Sequence, residues 1–157
     1  MAVWEYCCTL LPIASVGLLS SLTPGTIGDI DSLGLWAKLK VPEFLSAFPS
    51  ELERSKGWTE NLTILRIGPT CTVRVYAHDD EILDVQAVID LREKFLSSLE
   101  FLVDVCKRNR WVFVDNSLKV MSSSADALID SIRSSSAAQF VRDPVRFLTQ
   151  QKPDTSP

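Results

Sequence analysis

The stretch from Ile82 to Arg108 constrains this chain most. Val85, Val88, Ile89, Phe95, Leu96, Leu99, Leu102, Val103 and Cys106 recur there at the three-and-four spacing that lines one side of a helix. Asp84, Asp90, Glu93, Lys94, Glu100 and Lys107 fall mostly off that stripe. Read as one element, the run predicts a helix of about 25 residues, a rod of roughly 38 Å. Such a rod must bury its stripe against an apolar layer, and the rest of the sequence supplies strands for one.

Val3 to Leu11 is rich in strand formers, and Pro12 then removes a ladder donor, so a strand ending at Leu11 is expected. Leu62 to Ile67 and Thr70 to Tyr76 flank Gly68-Pro69 and predict a hairpin. Trp111 to Val114 and Leu118 to Met121 flank Asp115-Asn116-Ser117 and predict a second. Leu33, Leu35, Ala37, Leu39 and Val41 alternate with Gly34, Trp36, Lys38 and Lys40, the period of a half-buried strand.

Helical signals fill the gaps. Ile13 to Leu22 suits a short helix. Pro42, Glu43, Phe44, Leu45, Phe48 and Leu52 predict another from Val41 to Ser55, kinked at Pro49. Ser122 to Ser124 supply a cap for a helix holding Leu128 and Ile132, and Asp143-Pro144 opens a last one. The sum is a single α+β domain over residues 1–149, with a polar tail expected to be disordered over 150–157. Its core is a mainly antiparallel sheet of about five or six strands, carrying the long helix (about 82–108) and short C-terminal helices.

Composition narrows the setting. At 157 residues the chain can bury a core without disulfides or metal. Its net charge of −4 and pI near 5.0 repel phosphate polyanions, so no nucleic-acid partner is expected. Cys7, Cys8, Cys71 and Cys106 show no metal-binding or disulfide-framework spacing, and they read as free thiols in a reducing, cytoplasmic compartment. No metal or cofactor is implied. Residues 6–28 carry no charge, but Pro12, Gly17, Pro24 and Gly25 interrupt them, and no Lys or Arg precedes them as in a secretory signal. The expectation is no membrane; the alternative is N-terminal membrane association through 6–28.

Chemical motifs are sparse. Gly25-Thr26-Ile27-Gly28 lacks the Lys-Ser/Thr of a phosphate loop. His78, Asp79, Asp80 and Glu81 are consecutive, and consecutive loop residues do not converge on one ion; their carboxylates are expected to precede the long helix, whose dipole favours negative charge. Strand parity separates Cys71 from His78 and removes a thiol–imidazole pair.

If 33–41 and 70–76 share a sheet, the same parity turns Trp36, Lys38, Arg74, Tyr76 and His78 outward. Trp, Tyr and Arg on one exposed face are the residue types that dominate binding surfaces. The expected function is therefore a non-enzymatic cytoplasmic protein-binding module of inhibitor, immunity or adaptor type. The alternative is a small enzyme whose site near His78, Asp79 and Asp80 is assembled only by the fold.

Overall fold

The computed structural model describes residues 2–21, 34–36 and 39–150. Its strands are β1 (Glu5–Pro12), β2 (Arg54–Lys56), β3 (Leu62–Ile67), β4 (Cys71–His78), β5 (Glu81–Asp90), β6 (Trp111–Val114) and β7 (Val120–Met121). All pair antiparallel in one sheet of order β2-β3-β4-β5-β1-β6-β7. A 3-10 segment, Ile13–Ser21, follows β1. The helices are α1 (Val41–Ser46), α2 (Leu96–Asn109), α3 (Ala125–Ser134), α4 (Ser136–Arg142) and α5 (Pro144–Gln150). The α+β class and the antiparallel sheet are as the sequence implies, with seven strands rather than five or six.

Two strands are unexpected, β2 and β5, while the one expected over 33–41 is not formed among its described residues; β5 comes from the segment expected to be the first half of the long helix. Ile82 to Asp90 lies extended in β5, and only Leu96–Asn109 is helical. Its apolar residues satisfy both periods at once: Val85, Val88 and Ile89 fit a helix face, while Val85, Ala87 and Ile89 fit a strand face. Pairing decides between them. β5 bonds to β4 on one side from Glu81 to Ile89 and to β1 on the other from Gln86 to Asp90, which satisfies the backbone groups of its second half on both sides. Because β5 and β6 are both antiparallel to β1, they run parallel to each other, and α2 is the crossover between them. A helix of 14 residues is long enough for that return.

Register assigns every strand residue to a face. On the first face lie Tyr6, Cys8 and Leu10 of β1, Val85, Ala87 and Ile89 of β5, Cys71, Val73 and Val75 of β4, Leu65 and Ile67 of β3, and Trp111 and Phe113 of β6. All are buried. Leu99, Leu102, Val103, Val105 and Cys106 of α2 join the same core. Tyr6 fixes α3 there through a 2.8 Å hydrogen bond between its hydroxyl and that of Ser131. α1 reaches the same core with Phe44, stacked on Trp111 at 4.7 Å.

Local signals elsewhere behave as read. Ser124 and Ser135 cap α3 and α4 by accepting from Ala127 N and Ala138 N. Asp143 accepts from Arg146 N at 3.0 Å, at the start of α5. Three expectations need correction. The strand over 33–41 is not formed among its described residues: 34–36 is a turn, Lys40 makes one isolated bridge to Glu81, and α1 begins at Val41. The helix over 41–55 stops at Ser46, because Pro49 cannot continue it, and the chain turns into β2. The carboxylates of Asp79 and Asp80 do not precede a helix. They form the two-residue β4–β5 turn, both at positive φ (48° and 64°), a conformation Asp adopts more readily than most residues.

The uncharged N-terminal run enters the middle of the sheet. β1 has strands on both sides, and Cys8, Leu10 and Leu11 are buried. Among the described residues no helix is long and apolar enough to cross a membrane. Residues 22–28 and the tail from 151 lie outside the described residues.

Candidate functional site

The second face of the sheet carries the polar and aromatic side chains of β3, β4 and β5. Register places Ile64, Arg74, Gln86 and Thr9 in one row across β3, β4, β5 and β1. Tyr76 and Asp84 form the next row. The first-face residues named above are sealed; on the second face Ile64, Thr72, Arg74, Tyr76 and Gln86 are partly buried, and Thr9, Asp84 and Val88 are buried. Hydrogen bonds tie the rows together. Gln86 Nε2 donates to Asp84 Oδ2 at 2.6 Å, and Cys7 Sγ donates to Gln86 Oε1 at 3.8 Å.

The β2–β3 loop folds over this face. Leu62 is on the second face by its pairing with Tyr76, yet it is fully buried, because Gly57 presses directly onto it. A Cβ at position 57 would collide with the Leu62 side chain, so glycine is needed for the approach. Gly57 N donates to Leu62 O at 2.7 Å and closes the loop. The next residue, Trp58, is 70% exposed, and the Arg74 guanidinium sits 5.6 Å from the centre of its ring. Arg74 Nε is buried and has no acceptor among the described residues. At the lower end of the sheet Arg92 makes a second such pair. Its guanidinium lies 4.2 Å from the Trp4 ring centre and grips Asp90 with two hydrogen bonds, which hold the Asp90 carboxyl below its ordinary range.

Of the five residues expected to face outward, Arg74 and Tyr76 do share this face. Trp36 does not. It is 1% exposed, packed edge-on to Phe44 at 5.4 Å and to Trp111 at 5.6 Å, since the strand that was to display it is not formed. Lys38 lies outside the described residues. His78 ends β4 in solvent, its Nε2 3.6 Å from Asp79 Oδ2, with both side chains largely exposed. Lys40 draws Glu81 of the same turn aside through a 2.7 Å ion pair, which lowers the Glu81 carboxyl pKa. His78, Asp79, Asp80 and Glu81 are all exposed around this turn. Among the described residues no three His, Cys, Asp or Glu side chains are placed to share a metal ion. Sequence reasoning missed Trp58. The available signal was a lone Trp inside Gly57-Trp58-Thr59-Glu60-Asn61, where the turn-forming sequence offers no element to bury it.

The thiols are chemically quiet. Burial, with the Asp84 charge adding to it and Arg74 opposing, pushes Cys7 from an ordinary 9.0 up to about 11. Burial alone takes Cys71 to about 12, and burial first, then neighbouring thiols, also raises Cys8 and Cys106. At pH 8 a two-unit rise leaves Cys7 about 100-fold less thiolate than an ordinary thiol. Iodoacetamide at pH 8 is expected to alkylate Cys7 slowly and the other three only after denaturant is added, as counted by intact mass. Rapid modification of the native chain at Cys8, Cys71 or Cys106 would contradict their burial.

No protein-family model matches the chain, and no curated protein or solved structure is significantly similar to it.

Proposed function

We propose that this chain is a non-enzymatic, cytoplasmic protein-binding module of inhibitor, immunity or adaptor type, which holds its partner on the second face of the sheet. One observation carries the reading: Trp58, 70% exposed, is set over Arg74 beside Tyr76. A Trp held in water forgoes a burial worth about 2–3 kcal/mol, and Trp, Arg and Tyr together are the types that supply most binding energy at interfaces. The edges of the sheet suit a partner less well. β2 is three residues long with Arg54, Ser55 and Lys56 all exposed, and β7 has only two residues. Short edges, the β2 edge cationic as well, discourage strand addition. Four free thiols, three of them buried, fit a reducing compartment. The excess of acidic over basic residues favours a protein over a nucleic acid.

The test is affinity capture from the source cell, followed by titration of whatever is retained against Trp58→Ala, Arg74→Ala and Tyr76→Ala. At least one of the three is expected to weaken binding by about 30-fold, the size of a single hot-spot loss. The melting temperature should stay near wild type, because these side chains are not in the core. A retained partner that binds all three variants as tightly as wild type would rule out this face.

A further inference from the structure

Strand β1 loses its partner half-way along one edge. β5 pairs with it from Glu5 to Thr9, but β6 pairs with it only from Thr9 to Pro12. Residues of an antiparallel strand bond alternately to the neighbour on either side, and two bonds fix the alternation here. Ile13 N donates to Arg110 O at 2.9 Å on the β6 side, and Leu91 N donates to Trp4 O at 3.2 Å on the β5 side. Tyr6 and Cys8 therefore bond to β5, while Cys7, like Thr9, turns its backbone N–H and C=O toward β6. There β6 has already ended. Its chain leaves at Asp115, whose N–H donates to Lys119 O at 3.1 Å in the β6–β7 turn, so neither Cys7 group finds a partner among the described residues.

A cavity of about 390 Å³ occupies the vacated place. Three consecutive residues, Glu5, Tyr6 and Cys7, line it, so it borders the edge of β1 and not one face of the sheet. The β6–β7 turn, α3 and α4 supply the rest, Asp115, Ser131 and Ser136 among it. These features select a guest. An N–H and a C=O unpaired on one strand residue match the backbone of an extended peptide, which offers the same two groups. Glu5 and Asp115 are acidic, and no Lys or Arg lines the cavity among the described residues. Ala2 N occupies Glu5 Oε2, and Ser117 and Lys119 occupy Asp115 Oδ1, which leaves Glu5 Oε1 and Asp115 Oδ2 for a cation. We propose that this gap takes an extended basic segment of a partner protein as a short added strand. Its backbone pairs with Cys7 N–H and C=O, and its Lys or Arg side chains meet Glu5 and Asp115. The site is separate from the second sheet face, to which Cys7 gives only its side chain, and does not rest on it.

The probe is the peptide acetyl-KVKVK-amide, titrated into the full chain while amide hydrogen exchange is followed by NMR. Acetyl-EVEVE-amide and spermidine, a cation without a peptide backbone, are the controls. In the free chain Cys7 N–H should exchange at least about 10-fold faster than Tyr6 and Cys8 N–H, which are bonded to β5. At ten times its dissociation constant the basic peptide should slow exchange at Cys7 about 10-fold, and neither control should slow it. Glu5→Gln with Asp115→Asn, which keeps the Oδ1 acceptor of the turn, should weaken the peptide about 5-fold, the effect of two exposed ion pairs. Several results would overturn the proposal: exchange at Cys7 as slow as at its neighbours in the free chain, no slowing by the basic peptide, equal slowing by either control, or a double variant that binds as tightly as wild type.

Discussion

Deleting residues 1–12 is expected to abolish cooperative folding, not to trim the domain. β1 lies between β5 and β6, so its loss splits the sheet into a four-stranded and a two-stranded piece. Both flanking strands would then present unpaired N–H and C=O groups where the core is now dry. Tyr6, Cys8, Leu10 and Leu11 leave with it, all 5% exposed or less. Burying an aliphatic or aromatic side chain of this size is worth about 1.5–3 kcal/mol, so Tyr6, Leu10 and Leu11 alone approach the whole stability of a typical domain, about 5–15 kcal/mol. The truncated chain should be insoluble, or soluble without a cooperative melt followed by circular dichroism. A folded truncation with a wild-type denaturant slope would mean that β1 is an accessory, as an N-terminal anchor would be.

Phe44→Ala is expected to cost about 3–5 kcal/mol. Phe44 is 0% exposed and meets three rings: Trp111 stacked at 4.7 Å, Trp36 edge-on at 5.4 Å and Phe48 at 5.4 Å. Aromatic pairs of this kind add to the area they bury. The α1 helix has only six residues, too few to persist alone, so its position rests on Phe44 and Phe48. Removing the ring therefore opens a cavity and loosens the attachment of α1 together. Urea unfolding should show the loss as a lower midpoint at nearly constant slope. A change under about 1 kcal/mol would show that Phe44 does not anchor α1. Trp58→Ala, an exposed residue of the same class, should move the midpoint little.

Residues whose neighbours in sequence decide their state were legible in the chain. The β3–β4 hairpin follows from two β-rich runs around Gly68-Pro69, and Gly68 sits in that turn at φ 63°. Ser124 and Asp143 cap because their oxygens meet N–H groups only three residues away. The N-terminal strand was legible because Pro and hydroxyl residues break the uncharged run before it could span a bilayer. Of the candidate site, Arg74 and Tyr76 were legible by parity alone, since alternate residues of one strand must share a face.

By itself, then, the sequence determined the class, the two hairpins, the N-terminal strand, the C-terminal caps and the alternation along β4. Tertiary structure alone decided three things. It made Ile82 to Asp90 a strand, because a short apolar run fits periods of 2 and 3.6 equally and only neighbours on both sides could choose. It buried Trp36 against Phe44 and Trp111, residues 8 and 75 positions further along the chain. It left Trp58 in water over Arg74, because the loop that carries it is pinned by Gly57 on Leu62. Periodicity fixes which residues of one element face the same way; which way that is depends on contacts between elements distant in sequence, and no local pattern encodes them.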